Sequence, residues 1–292
     1  MLSNMNSFER VVEYCEGIEQ EQLDEDASGY LHWPSKGEIE IRNLTLAYHS
    51  KPDTDIIKDL HISIQAGEKI GVVGRTGSGK STLAMSFFRL FEPKRGTIII
   101  DDHDIRTVCL QALRRNISII SQEANVFTGT IRYNLTLGDF ADEIIWQALD
   151  VVGLKSYVSE LPQKLDHELT TNGGNLSFGQ CQLLCLARVI LRKPKVLILD
   201  EANSSIDLEA DQKIQEVLRT HLKDTTVISI AHRLNSIADF DRVLVLEDGA
   251  MREYDSPYNL LLNDSSQFAE MVKSSGSSNA RAIMEIARLQ QK

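Results

Sequence analysis

The chain has no long hydrophobic run. Its longest uninterrupted apolar stretch is Leu183 to Ala187, far short of the ~20 residues that cross a bilayer, so no segment of it is expected to span a membrane. An apolar N-terminal stretch with a basic flank, the mark of a secretory signal, is also missing. Positive charge is in deficit: 31 lysines and arginines stand against 42 aspartates and glutamates, a net charge of −11. That balance repels a phosphate backbone and argues against nucleic acid as a partner. Cysteine is scarce as well. Cys15, Cys109, Cys181 and Cys185 show no C-x-x-C spacing, and only the last two share a helix face, so they read as reduced, mostly buried thiols and not as a disulfide framework. With 292 residues there is ample chain for one large domain or two small ones.

What is present starts at Gly74-Arg75-Thr76-Gly77-Ser78-Gly79-Lys80-Ser81. The stretch fits G-x-x-x-x-G-K-[ST] and follows the apolar run Ile70-Gly71-Val72-Val73, so it reads as a phosphate-binding loop between a strand and a helix. A glycine-rich turn can point successive backbone N–H groups at an anion, and the helix that follows adds its positive end. Lys80 is then placed for the β- and γ-phosphates and Ser81 for Mg2+.

Residues 6 to 19 are expected to form a helix with one apolar stripe, Phe8, Val11, Val12, Cys15 and Ile18, and the acidic stretch beyond it makes residues 20 to 36 a solvated linker. From Gly37 the pattern has period two. Ile39, Ile41, Leu44, Leu46 and Tyr48, then Leu60 to Ile64, read as half-buried antiparallel strands. Strands at 97–100 and 117–120 flank a short helix at 110–115. Residues of about 125 to 193 turn mostly helical, with amphipathic stretches at 142–152 and 179–191. Strands resume at 196–199, 226–230 and 243–246, with a helix at 208–222 between the first two. Gly276 breaks the pattern before a last amphipathic helix at 280–289. The order of elements gives an α/β core with an antiparallel portion and a helical insertion.

Two further stretches carry chemistry. Val196-Leu197-Ile198-Leu199 is a fully apolar strand that ends in Asp200-Glu201, and the carboxyl end of such a strand is where an open α/β sheet places its ligand chemistry. Asp200 is expected to hold Mg2+ through water, and Glu201 to accept a proton from the water that attacks the γ-phosphate. Ser177, in Leu176-Ser177-Phe178-Gly179-Gln180, opens an apolar helix. It is either an ordinary N-cap or, with the N–H groups behind it, a second anion site.

Taken in order, these motifs resemble the nucleotide-binding cassette of ABC transporters over nearly the whole chain. The resemblance implies a P-loop NTPase (RecA-like) core with an antiparallel β subdomain and a helical subdomain, an ATPase activity and the cofactors ATP and Mg2+. It implies that Tyr48 stacks on adenine and that Gly74 to Thr82 wrap the phosphates. Gln122 contacts Mg2+ and the attacking water, and His232 reaches the γ-phosphate. Ser177, Gly179 and Gln180 form the signature, and Asp207 closes the D-loop 204–207. Two cassettes are expected to stack head to tail, each ATP lying between one chain's P-loop and the other's signature.

More narrowly, the chain resembles the second cassette of C-subfamily, multidrug-resistance-associated-protein-like exporters. Residues 5 to 10 are similar to the segment leaving that family's last transmembrane helix, and Trp33-Pro34 to its entry into the cassette. This implies a membrane-side helix at 1–19, a linker at 20–36, a cassette at 37–275 and a C-terminal helix at 276–292. The partners are then a transmembrane domain and the first cassette of the same transporter, with this domain on the cytoplasmic face. Phe178 stands where the signature usually has glycine, which implies that the site using it is the weaker. Cys181 replaces a usual arginine, and Thr171-Asn172 a usual acid and glycine. The alternatives are a soluble ABC ATPase, against which the acidic balance stands, and a regulatory cassette without turnover, against which Glu201 stands.

Overall fold

A computed structural model describes residues 28–30, 32–121, 124–136, 140–200 and 208–290. The helix expected at 6–19, Gln122, Glu201 and Asp207 lie outside the described residues.

The first strand, β1 (Ile39–Tyr48), buries Ile39, Ile41, Leu44 and Leu46 completely. It pairs antiparallel with β2 (Lys51–Ile64), and a turn at 66–67 leads to β3 (Lys69–Val73), the P-loop and α1 (Lys80–Ser86). Then follow β4 (Arg95–Ile100), β5 (His103–Asp104), α2 (Leu110–Asn116) and β6 (Ile117–Ile120). The helical insertion comprises a two-stranded ribbon of β7 (Gly129–Thr130) and β8 (Glu168–Leu169) around α3 (Ile131–Leu135), α4 (Asp142–Val151) and α5 (Lys155–Glu160), and ends in α6 (Phe178–Arg192). The core resumes with β9 (Val196–Asp200), α7 (Leu208–Thr220), β10 (Thr226–Ile230), β11 (Arg242–Glu247) and β12 (Ala250–Asp255). Three helices close the chain: α8 (Pro257–Leu262), α9 (Gln267–Ser274) and α10 (Ser277–Gln290).

Two larger sheets result. One is antiparallel, in the order β2-β1-β4-β5; the other has the order β12-β11-β3-β10-β9-β6, parallel except for its edge strand β12. Strand periodicity divides the core between them. Along β9, Val196 and Ile198 join the cluster under the antiparallel sheet, whereas Leu197 and Leu199 join the cluster of the helical insertion. All four are buried, which is why the run reads as uninterrupted apolar sequence.

Within the stretch expected to be a solvated linker up to residue 36, Tyr30, Trp33 and Pro34 pack onto the domain. Trp33 is buried and its Nε1 donates to Ile100 O at 3.0 Å, with Tyr30 and His103 edge-on to it. Next to Trp33 the Asp101 carboxylate accepts the backbone N–H groups of Ser35, Lys36, Gly37 and Glu38 at 2.6, 2.7, 2.9 and 2.8 Å. The last helix begins three residues before the expected 280 and is part of a third cluster, where Ile283 meets Ile237 and Phe268, all three without exposed area.

Candidate functional site

Strands β3, β10 and β9 are parallel neighbours, so their carboxyl ends come out on one edge of the sheet. The P-loop leaves β3, Asp200 is the last residue of β9, and His232 lies just past β10. The topology therefore gathers the P-loop with Asp200, more than a hundred residues further along the chain, and with His232, another 32 beyond it.

Glycine is demanded at both ends of the loop. Gly74 has φ +153°, and a Cβ there would sit 2.2 Å from Leu246 O and 2.6 Å from Ser78 Oγ; at Gly79, φ +97°, it would sit 2.6 Å from Ile57 Cδ1. Only a bare backbone fits between those atoms. Lys80, at the start of α1, is buried, and its ammonium donates to Gly74 O at 2.7 Å and Arg75 O at 3.0 Å. Burial draws its pKa below the ordinary lysine value, and the negative charge of Asp200 draws it back up. Asp200 is the complement. Burial raises its carboxyl, while His232, Lys80 and a hydrogen bond with Ser81 lower it. Its Oδ1 is buried without a hydrogen-bond partner, as is the hydroxyl of Ser78.

Tyr48 ends β1 over the same helix. Its hydroxyl lies 3.2 Å from Thr82 Oγ1 and its ring 5.3 Å from that of Phe91, at 60°. Tyr48 is nevertheless 42% exposed. A cavity of about 660 Å3 is lined by Gly74 and Arg75 together with His232, Glu247, Gln267 and Asn279. The structure thus brings Tyr48, Gly74 to Thr82, Asp200 and His232 to one place.

Ser177, Gly179 and Gln180 are elsewhere. Ser177 caps α6, its Oγ accepting the N–H of Gln180 at 3.1 Å while Gln180 Oε1 accepts the N–H of Ser177 at 2.8 Å. This capping box satisfies two otherwise unpaired N–H groups. No hydrogen bond or ion pair among the described residues joins this end of α6 to the P-loop. Further along the helix, Arg188 donates to Asn134 O and Asn125 O at 2.6 Å each and to Asn134 Oδ1 at 2.8 Å, with its guanidinium 5.7 Å from the Phe127 ring centre. It grips the segment that follows residues 122 and 123. Sequence reasoning did not single out Arg188 or Phe91, because their partners lie tens of residues away with no spacing to announce them.

Residues 57–204 match the protein family described as ABC transporter. Among curated proteins, the metal resistance protein YCF1 of Saccharomyces cerevisiae is 43% identical over 278 residues, which covers 94% of this chain and 18% of that protein. The ATP-dependent bile acid permease of the same organism is 45% identical over 296 residues, again 94% and 18%. ATP-binding cassette sub-family C member 3 of Homo sapiens is 44% identical over 262 residues, or 89% and 17%. The chain therefore spans less than a fifth of these relatives (18% or less). A solved bacterial Atm1-family ABC exporter with ATP bound superposes with a TM-score of 0.77 at 33% identity, over 83% of this chain and 42% of that one. Loop, sheet order and sequence likeness lead to one conclusion: the chain belongs to the ABC transporter family.

Proposed function

We propose that this chain is an ATP-binding and ATP-hydrolysing cassette that drives an attached membrane domain of an exporter. One observation carries the reading. Buried Lys80, its ammonium resting on two loop carbonyls, stands near the half-buried carboxyl of Asp200, whose Oδ1 is buried without a partner. Burying polar groups in that condition is costly, and a triphosphate with a divalent cation supplies the charges that relieve it.

In this reading Tyr48 offers its ring to adenine. Gly74, Arg75, Thr76, Gly77, Ser78, Gly79, Lys80, Ser81 and Thr82 hold the phosphates, with loop N–H groups and the start of α1 as donors. Mg2+ fits a donor set of Ser81, Asp200 and Gln122, and when bound it neutralises charge on the β- and γ-phosphates. Glu201 takes the proton of the attacking water, and His232 approaches the γ-phosphate from the end of β10. Ser177, Gly179, Gln180 and Asp207 serve a second ATP, held by a partner cassette packed head to tail.

The likeness to C-subfamily relatives supports the finer assignment to a second cassette beside the first cassette and transmembrane domain of one exporter. No helix among the described residues is long and apolar enough to cross a membrane; in this reading, membrane association comes through that domain. Coupling is a population shift: ATP favours the closed pair of cassettes, and its hydrolysis removes the preference.

The test is calorimetric titration of MgATP into the chain. Binding is expected, and Lys80→Ala should weaken it roughly 10- to 100-fold, the equivalent of one charged hydrogen-bonding group. Unchanged affinity in that variant would overturn the reading.

A further inference from the structure

We infer that Phe91 is a positioning residue for nucleotide binding, acting through the ring of Tyr48. The inference rests on the proposed role of Tyr48 as the adenine platform and extends it to a residue 43 positions further along the chain.

Tyr48 occupies an unpromising place for a rigid platform. It is the last residue of β1, paired with Lys51 across the turn at 49–50, at the exposed tip of a hairpin. A ring at such a tip is free to turn about two side-chain bonds unless something holds it. Here two contacts do so. The hydroxyl is fixed on Thr82 Oγ1 at 3.2 Å, and the ring meets Phe91 at 5.3 Å and 60°, within the separation at which tilted aromatic pairs attract. The Phe91 contact leaves Tyr48 42% exposed, so exposed surface remains for a base.

Phe91 is itself held. Phe87 and Phe88, just before it, are buried in the core. Arg89 Nε donates to Glu92 Oε1 at 2.8 Å, bracketing it. Lys94 closes the loop onto the hairpin, its N–H on Thr45 O at 2.9 Å and its ammonium on Pro52 O at 2.9 Å and Asp55 Oδ1 at 2.8 Å. The loop is thus tied to the hairpin, and Phe91 is held beside the Tyr48 ring by contacts on both sides of it. A side chain ordered before the ligand arrives gives up less freedom on binding, and this raises affinity without any new contact to the ligand.

The effect belongs to the base and not to the phosphates, and this makes it separable. The 292-residue chain is titrated with MgATP and with magnesium tripolyphosphate, which lacks a base. Phe91→Leu keeps apolar volume but removes the ring; Phe91→Tyr keeps the ring. Phe91→Leu should weaken ATP by about three- to ten-fold, leave tripolyphosphate unchanged and keep its thermal midpoint, while Phe91→Tyr stays close to the parent. Tyr48→Ala should weaken ATP at least as much, and Phe91→Leu added to it should have no further effect. Full ATP affinity in Phe91→Leu, with Tyr48→Ala weakened, would overturn the role of Phe91 and leave the platform standing. Equal losses of ATP and tripolyphosphate in Phe91→Leu would also overturn it, because they would locate the damage in the phosphate loop. An unaffected Tyr48→Ala would remove the platform and the inference together.

Discussion

Asp101→Asn isolates one electrostatic clasp. Asp101 lies in the left-handed region with φ +46°, a conformation that asparagine also tolerates, so the change removes charge without adding backbone strain. In the parent, Oδ2 accepts the N–H groups of Ser35 and Lys36, and Oδ1 those of Gly37 and Glu38. In the variant one of these pairs faces an amide NH2, donor against donor. Two hydrogen bonds to a charged acceptor are worth about 3–6 kcal/mol when fully buried. Ser35 and Lys36 are exposed, so water recovers much of this, and about 2 kcal/mol remains. For a chain of this size that corresponds to roughly 4–8 °C in thermal midpoint.

The pH dependence follows from the direction of the shift. Burial raises the Asp101 carboxyl, but the N–H groups of Lys36, Gly37, Glu38 and Ser35 prevail and hold it below the usual carboxylate value. A depressed folded-state pKa gives stability that is complete above the unfolded value, about 3.9, and is lost as pH falls through the folded one. Parent and variant should therefore differ by a constant amount from about pH 7 to 5 and converge below about pH 4. Thermal and urea unfolding of both proteins across that range is the assay. A gap of less than about 1 °C at neutral pH, or one that persists undiminished in acid, would refute the account.

In the proposed full exporter, Glu201→Gln should reduce steady-state ATPase by ~10²–10⁴-fold, as expected for loss of the proposed general base, whereas Ser177→Ala, at a residue proposed to face a partner's ATP, should reduce it only several-fold. Equal damage from the two would remove the assignment to an asymmetric second cassette. Ile283→Ala, at a position with no exposed area between Ile237 and Phe268, should cost about 2–4 kcal/mol in urea unfolding; a value near zero would mean that α10 does not pack on the cassette.

The residues that could be read in sequence were those whose neighbours in space are also neighbours in the chain. Ile70 to Ser81 announces strand, loop and helix in twelve consecutive positions, and Val196 to Asp200 announces a strand buried on both faces with its acid at the end. The first half of β2 gives no such signal. Lys51, Pro52, Asp53 and Thr54 are exposed on an edge strand whose register against β1 shifts repeatedly, so no alternation survives. Strand β12, Ala-Met-Arg-Glu-Tyr-Asp, is another polar edge without a wholly buried side chain. At the site, the loop glycines, Lys80 and Asp200 were legible for the same local reason. The buttress on Tyr48, the clasp of Asp101 and the grip of Arg188 were not, since each depends on a meeting across 43, 63 to 66, or 54 and 63 residues.

Helix α6 joins two of these places. Its first turn is locked by the Ser177–Gln180 capping box, and eleven residues later Arg188 is bonded to Asn125 and Asn134. At 1.5 Å per residue the two points are about 16 Å apart along the axis. A hydrogen-bonded helix resists stretching far more than the loops around it, so an axial displacement at the capped end reaches the guanidinium nearly undiminished. There it pulls on Asn125, three positions beyond Gln122. On the proposed assignment of Ser177 to a partner's nucleotide and Gln122 to the chain's own, α6 is placed as a push-rod between two fuel chambers.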